Sequence, residues 1–126
     1  RDSLERLSKL AAGLRRYAAE HGGRLPGAVR WEEALRPYMD DPEFFVSPFQ
    51  GFVFSYNPRL AGLRMQDIIN PQEVVAFAET LPGRWPSAER FDTPDGRLRL
   101  AFLDGRVVAA DRMMGNPPKV RAQKGR

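Results

Sequence analysis

Leu4, Leu7, Leu10, Ala11, Leu14, Tyr17 and Ala18 recur at steps of three and four residues. That spacing draws one apolar stripe along a helix of 3.6 residues per turn. Arg6, Lys9, Arg15, Arg16 and Glu20 fall mostly off the stripe. The pattern predicts an amphipathic helix over residues 2–21 whose packing residues are Leu4, Leu7, Leu10 and Leu14. Asp2 followed by Glu5 suits a capped start. Gly22 and Gly23 supply a stop, and Pro26 prevents resumption.

The pattern then shortens. Trp31, Leu35 and Tyr38 share a face at helical spacing, and Pro37 limits the length of that helix. Residues 40–51 read as irregular. Phe52 to Tyr56 reads as a strand closed by the Asn57-Pro58 turn, and Met65 to Ile69 as one helical turn. In Glu73 to Thr80, Val74, Ala76 and Ala78 alternate with Val75, Phe77 and Glu79, which predicts a central strand bracketed by Pro71 and Pro82. A hairpin over residues 97–111 comes last, with Leu98, Leu100 and Phe102 on one face. Its turn falls at Asp104-Gly105, because glycine tolerates the positive φ that a two-residue primed turn demands. The chain therefore divides into a globular domain over 1–112 and a tail over 113–126 that reads as disordered.

Charge sharpens that division. The net charge is +4, but five cations and no acid lie from Arg112 onward. Up to Asp111 the chain has 15 basic and 16 acidic residues, so the body is close to neutral. Lys119, Arg121, Lys124 and Arg126 are thus the candidate phosphate contacts, which would give salt-sensitive binding indifferent to base sequence. The absence of cysteine excludes disulfides, thiolate metal sites and cysteine nucleophiles. No apolar run approaches the ~20 residues that cross a bilayer.

Catalytic candidates are few. His21 is the one histidine, and it falls in the last helical turn, where a cation suits the macrodipole. No serine has a histidine free to serve it. Glu32 and Glu33 are sequence neighbours on a helix and do not face each other. Asp92 and Asp95 lie in a loop and are the weak candidates for a Ca²⁺ site, with a plain turn as the alternative. The aromatic run from Phe44 to Tyr56 contains no basic residue and reads as core beneath a loop rather than a base-stacking platform. These features predict no enzyme, no catalytic residues and no cofactor other than possible Ca²⁺.

The order of the parts is informative as a set. Tyr17-Ala-Ala-Glu-His-Gly-Gly-Arg-Leu-Pro26 is followed by Leu35-Arg-Pro-Tyr38 behind Trp31. Phe45-Val-Ser-Pro48, Ser55-Tyr56-Asn57, Ile69-Asn-Pro-Gln-Glu-Val-Val-Ala-Phe-Ala-Glu79 and Ala101-Phe-Leu-Asp-Gly-Arg-Val107 come next. This series resembles bacterial type IV pilin-like and pseudopilin proteins with a prepilin-type N-terminal segment, over roughly Leu4 to Arg112. The pattern commonly has cysteine where this chain has Ser47, and histidine where it has Pro94 and Arg106.

The resemblance implies an α+β fold, with a long N-terminal helix packed on an antiparallel sheet of three or four strands. It implies a structural subunit (pilin, minor pilin or pseudopilin) of a type IV pilus or a type II secretion-like filament. The first helix would be the soluble part of a longer one, whose missing apolar part anchors the inner membrane before assembly. Partners would be other pilin subunits along the helix face bearing Arg6, Arg15 and Arg16. The location would be the bacterial cell envelope, then an extracellular or periplasmic filament. A fragment without the assembly segment is expected to be monomeric. The alternative is a nucleic-acid-binding module, such as a DNA-uptake pilin component, acting through the basic tail.

Overall fold

The structure is a computed structural model and describes residues 2–122. Helix α1, Asp2–Glu20, opens the chain, and the five-residue α2, Trp31–Leu35, follows. Four strands, β1 (Val53–Tyr56), β2 (Val75–Thr80), β3 (Leu98–Phe102) and β4 (Val107–Ala110), form one antiparallel sheet in the order β1-β2-β3-β4. Single 3₁₀ turns, including Arg36–Tyr38, Pro42–Phe45 and Pro71–Glu73, punctuate the connections. The class is therefore α+β.

Helix α1 lies on one face of the sheet as its stripe requires. Leu7, Leu10 and Leu14 are fully buried against Phe77, Ala101 and Leu103, while Leu4 packs at the margin. The helix ends in a Schellman turn. Gly23 donates its N–H to the Ala18 carbonyl at 2.7 Å, across Gly22 at φ 64°. His21 closes the end: its Nδ1 lies 2.8 Å from the Tyr17 carbonyl and its ring stacks on Tyr17 at 3.9 Å. Trp31, Phe45, Tyr56 and Phe77 continue the same core as an aromatic cluster, with centroids 5.3–6.0 Å from Trp31. Burial pushes the Tyr56 phenol well above its ordinary pKa, so it stays protonated and donates to the Pro26 carbonyl at 3.0 Å.

The apolar stripe of the hairpin points the other way. Leu98, Leu100 and Phe102, with Val75 and Ala78, form a second core on the far face, covered by Trp85, Phe91 and Met113. The connection from Leu81 to Arg97 is therefore a cover for the sheet rather than a free loop. A bulge in β2 divides the residues between the two faces. Val75 pairs with Phe102 and Phe77 with Ala101, so one extra residue interrupts the alternation, and Ala76 and Phe77 both enter the α1 side. The bulge leaves two successive carbonyls aimed at β1. Asn57 satisfies both: its N–H meets Ala76 O at 2.9 Å and its Nδ2 meets Val75 O at 2.8 Å.

Two expectations are corrected. The hairpin loop has three residues, not two. Gly105 donates to Phe102 O at 2.9 Å, Phe102 donates to Arg106 O at 2.7 Å, and Gly105 alone takes a positive φ of 101°. A type I turn followed by a glycine bulge suits Asp104, which keeps negative φ and accepts from the Arg106 N–H at 3.0 Å. Nor is the stretch from 113 to 122 a disordered tail. Asn116 N–H bonds Glu73 O at 2.8 Å, Ile69 N–H bonds Lys119 O at 2.9 Å, and Arg121 N–H bonds Asp67 O at 2.7 Å. Prolines 71, 117 and 118 have no N–H to extend a backbone ladder, and the Asn70 side chain ties the segment instead: its Nδ2 donates to Pro117 O and its Oδ1 accepts the Lys119 N–H. Lys124 and Arg126 lie outside the described residues.

Replacing Asn57 by alanine leaves the buried Val75 carbonyl without its donor. We expect a loss of about 1–3 kcal/mol in urea unfolding. Leu10→Ala, which opens a cavity under α1, is expected to cost about 2–5 kcal/mol. An Asn57→Ala variant as stable as the wild type would refute this account of the bulge.

Candidate functional site

Helix α1 carries the surface that sequence reasoning assigned to assembly, and its outer face is uncovered. Glu5, Ser8, Lys9, Arg15, Arg16, Ala19 and Glu20 are exposed along its length. Arg6 does not belong to that face. Its Nη1 donates to Val46 O at 2.7 Å and Glu43 O at 3.2 Å, and its side chain is 16 % exposed. The helical angle of residue 6 places it at the boundary facing the 3₁₀ turn Pro42–Phe45, whose last carbonyls need a donor. Arg16 reaches Tyr38 O at 3.3 Å from the opposite end of the same flank.

The orientation of α1 is fixed at its first turn by a buried charge. Glu79, on β2, is 1 % exposed. Ser3 Oγ of α1 and Ser47 Oγ each donate to its Oε2 at 2.6 Å. Arg99 of β3 brings Nη1 to 3.6 Å from its Oε1, which has no hydrogen-bond partner among the described residues. Ser47 also accepts the Phe49 N–H at 3.0 Å, and the Arg99 guanidinium lies 4.9 Å from the Phe49 ring centroid. These residues tie α1, the 47–49 loop, β2 and β3 at one point. Sequence reasoning missed the cluster; its one signal was Glu79 in the register of Val75 and Phe77, whereas Arg99 alternates with Leu98 and Leu100 as a polar-face residue would.

Arg99 also settles what Asp95 does. It holds that carboxylate in a two-point bond, Nη1 to Oδ1 at 2.9 Å and Nη2 to Oδ2 at 2.7 Å. The hydrogen bond to Arg99 is the main cause that lowers the Asp95 pKa from its ordinary 3.8 to about 2. Asp92 lies 3.7 Å from Arg84. The two aspartates are thus directed to separate arginines. Among the described residues no group of three histidine, cysteine or carboxylate side chains could hold a metal ion.

Of the tail cations, Lys119 and Arg121 are exposed on the strap beside Asp67–Asn70, held there through their backbone groups. Trp85 borders three clefts, two on the far side of the sheet and a third at the β1 edge beside Trp31 and Glu32. No helix among the described residues is long and apolar enough to cross a membrane. No family model, curated protein or solved structure matches the chain.

The Asp95 pKa lies lower in the folded than in the unfolded chain. Its contribution to stability is therefore present above about pH 4 and is lost as pH falls toward about 2. Asp95→Asn should flatten the acid limb of a stability-versus-pH curve in that window. Arg99→Ala removes the cation that the described residues place beside the buried Glu79 carboxylate and is expected to cost about 3–5 kcal/mol. A variant in which Glu79→Gln accompanies Arg99→Ala should regain part of that loss. Equal losses in the single and double variants would show that Arg99 acts by packing alone.

Proposed function

We propose that this chain is a structural subunit of a type IV pilus or a type II secretion-like filament: a pilin, minor pilin or pseudopilin rather than an enzyme. The observation that carries the reading is the relation of α1 to the sheet. One face of a 19-residue helix is committed to the sheet that ends in the Phe102–Arg106 hairpin, while the opposite face stays open from Glu5 to Glu20. A helix used in this way can pack on copies of itself while its head faces outward. In this reading the full protein sits in a bacterial cell envelope, anchored in the inner membrane before it enters an extracellular or periplasmic filament. Other subunits are its partners.

The test uses the whole protein, expressed from its gene with an epitope tag. It should co-purify with sheared or overproduced filaments. Ser8→Trp and Ala19→Trp, both on the open face, should leave the isolated chain within about 0.5 kcal/mol of wild-type stability and sharply reduce incorporation. Wild-type protein that never enters a filament fraction would sink the proposal.

Nucleic-acid binding is the second reading, favoured by the exposed Lys119 and Arg121 side chains, which have no ion pair among the described residues. Lys119→Ala with Arg121→Ala should abolish a mobility shift seen at low salt. No shift by the wild-type chain under those conditions would remove this reading.

A further inference from the structure

Charge is unevenly placed on the folded surface. Residues 31–46 contain five acids and one arginine. Within that stretch Asp40, Asp41 and Glu43 are exposed on the loop that packs against α1, followed by Val46 at 57 % exposure. Arg6 meets the Glu43 carboxylate only at 3.9 Å, so this loop retains most of its negative charge. On the far side of the sheet arginines gather around Trp85, with Asp92 in the same cleft and Glu89 exposed beside Arg90. Arg84 and Arg90 line one cleft beside Trp85, of about 360 Å³. Arg59 lines the next, of about 410 Å³, together with Pro86, Met113 and Met114. The side chains of Arg59 and Arg90 have no ion pair among the described residues, and Arg84 has only Asp92 at 3.7 Å.

We propose that the acidic loop at Asp40–Val46 of one copy docks on the Trp85 face of a second copy. The carboxylates meet Arg59, Arg84 and Arg90, and Val46 enters the apolar cleft between Pro86 and Met113. The two surfaces complement each other in charge, and each offers apolar area for the other to cover. Their placement also decides the symmetry. The loop packs against α1, whereas Trp85 packs on the second core of the opposite face and reaches the β1 edge beside Trp31 and Glu32. The two patches are different surfaces, so the contact is heterologous and, repeated with the same geometry, propagates head-to-tail. Its role in a filament rests on the reading above. The contact itself is a property of the isolated chain, so the two can fail separately.

The experiment is sedimentation of the 126-residue chain up to millimolar concentration at about 0.01 M and about 1 M salt, where the Debye length is roughly 30 and 3 Å. At low salt the average mass should rise with concentration without levelling at a dimer, and at high salt it should fall to the monomer. Arg84→Glu with Arg90→Glu, and separately Asp40→Lys with Glu43→Lys, should each weaken self-association at least about tenfold, or 1.4 kcal/mol. Circular dichroism checks that both variants fold. An equimolar mixture of the two should restore association, since each reversed surface then meets its complement. Four results would each overturn the proposal: a wild-type monomer throughout at low salt, a closed dimer, variants that associate normally, or a mixture that fails to restore association. Failure of the whole protein to enter filaments would instead count against the filament reading and leave this contact standing.

Discussion

The arrangement depends on the Glu79 carboxylate. A charge taken out of water costs several kcal/mol unless it is neutralised and hydrogen-bonded. Glu79 obtains both from three separate parts of the chain: Ser3 in the first turn of α1, Ser47 in the loop before β1, and Arg99 on the neighbouring strand. An apolar residue of similar size would fill the same space without specifying any of those neighbours. The leucine stripe alone would let α1 slide or rotate on the sheet by small amounts at little cost. The Ser3 hydroxyl bond sets its start at one register. Arg99 extends the constraint to the far loop through Asp95, so the cover over the second face is referenced to the same buried charge.

The sheet is buried on both faces, and this sets the remaining architecture. One face takes α1. The other is covered by irregular chain between β2 and β3 and by the returning segment after β4. Such covers lack a ladder of their own, so each must borrow hydrogen bonds. The strap borrows from Asp67, Ile69, Asn70 and Glu73. It also approaches closely enough that Gly115 has no room for a side chain: a Cβ there would stand 2.7 Å from the Glu73 carbonyl. The cleft lined by Pro86 and Met113 arises where these two borrowed covers meet without filling the space between them.

The sequence was legible where a periodic pattern met a strong stop. Helix α1 and the existence and order of the strands follow from that. So does the end of the helix, since Gly22 and Gly23 allow the left-handed turn. Features requiring two distant segments to be seen together were not legible. Alternation in Glu73–Thr80 gives no notice of a bulge, because Ala76 fits either face. Asp-Gly is compatible with two hairpin loops, and only the pairing of Phe102 with Arg106 selects the longer. The strap reads as disordered because its prolines and scattered charge conceal that Asn70 supplies its bonds. Arg6 looks like a free surface cation until the 3₁₀ turn at Pro42–Phe45 is placed beside it. Glu79 was visible as a charge in the register of Val75 and Phe77, but Arg99 reads as part of the polar face of its strand, and the partner serines lie 76 and 32 residues from Glu79.

Ser47 illustrates how one such cluster constrains composition. Cysteine is the residue closest to serine in shape. Here the side chain must donate a short bond to Glu79 Oε2 and accept one from the Phe49 N–H. A hydroxyl does both well, whereas a thiol is a weak donor, a weak acceptor and a larger atom. Among the described residues, a thiol at 47 would leave Oε2 with Ser3 alone, and Oε1 has no hydrogen bond. The carboxylate would then be under-solvated at both oxygens, with Arg99 at 3.6 Å as its main compensation. Serine at 47 and glutamate at 79 are therefore one choice made at two positions, and the same choice fixes where the first turn of α1 meets the sheet.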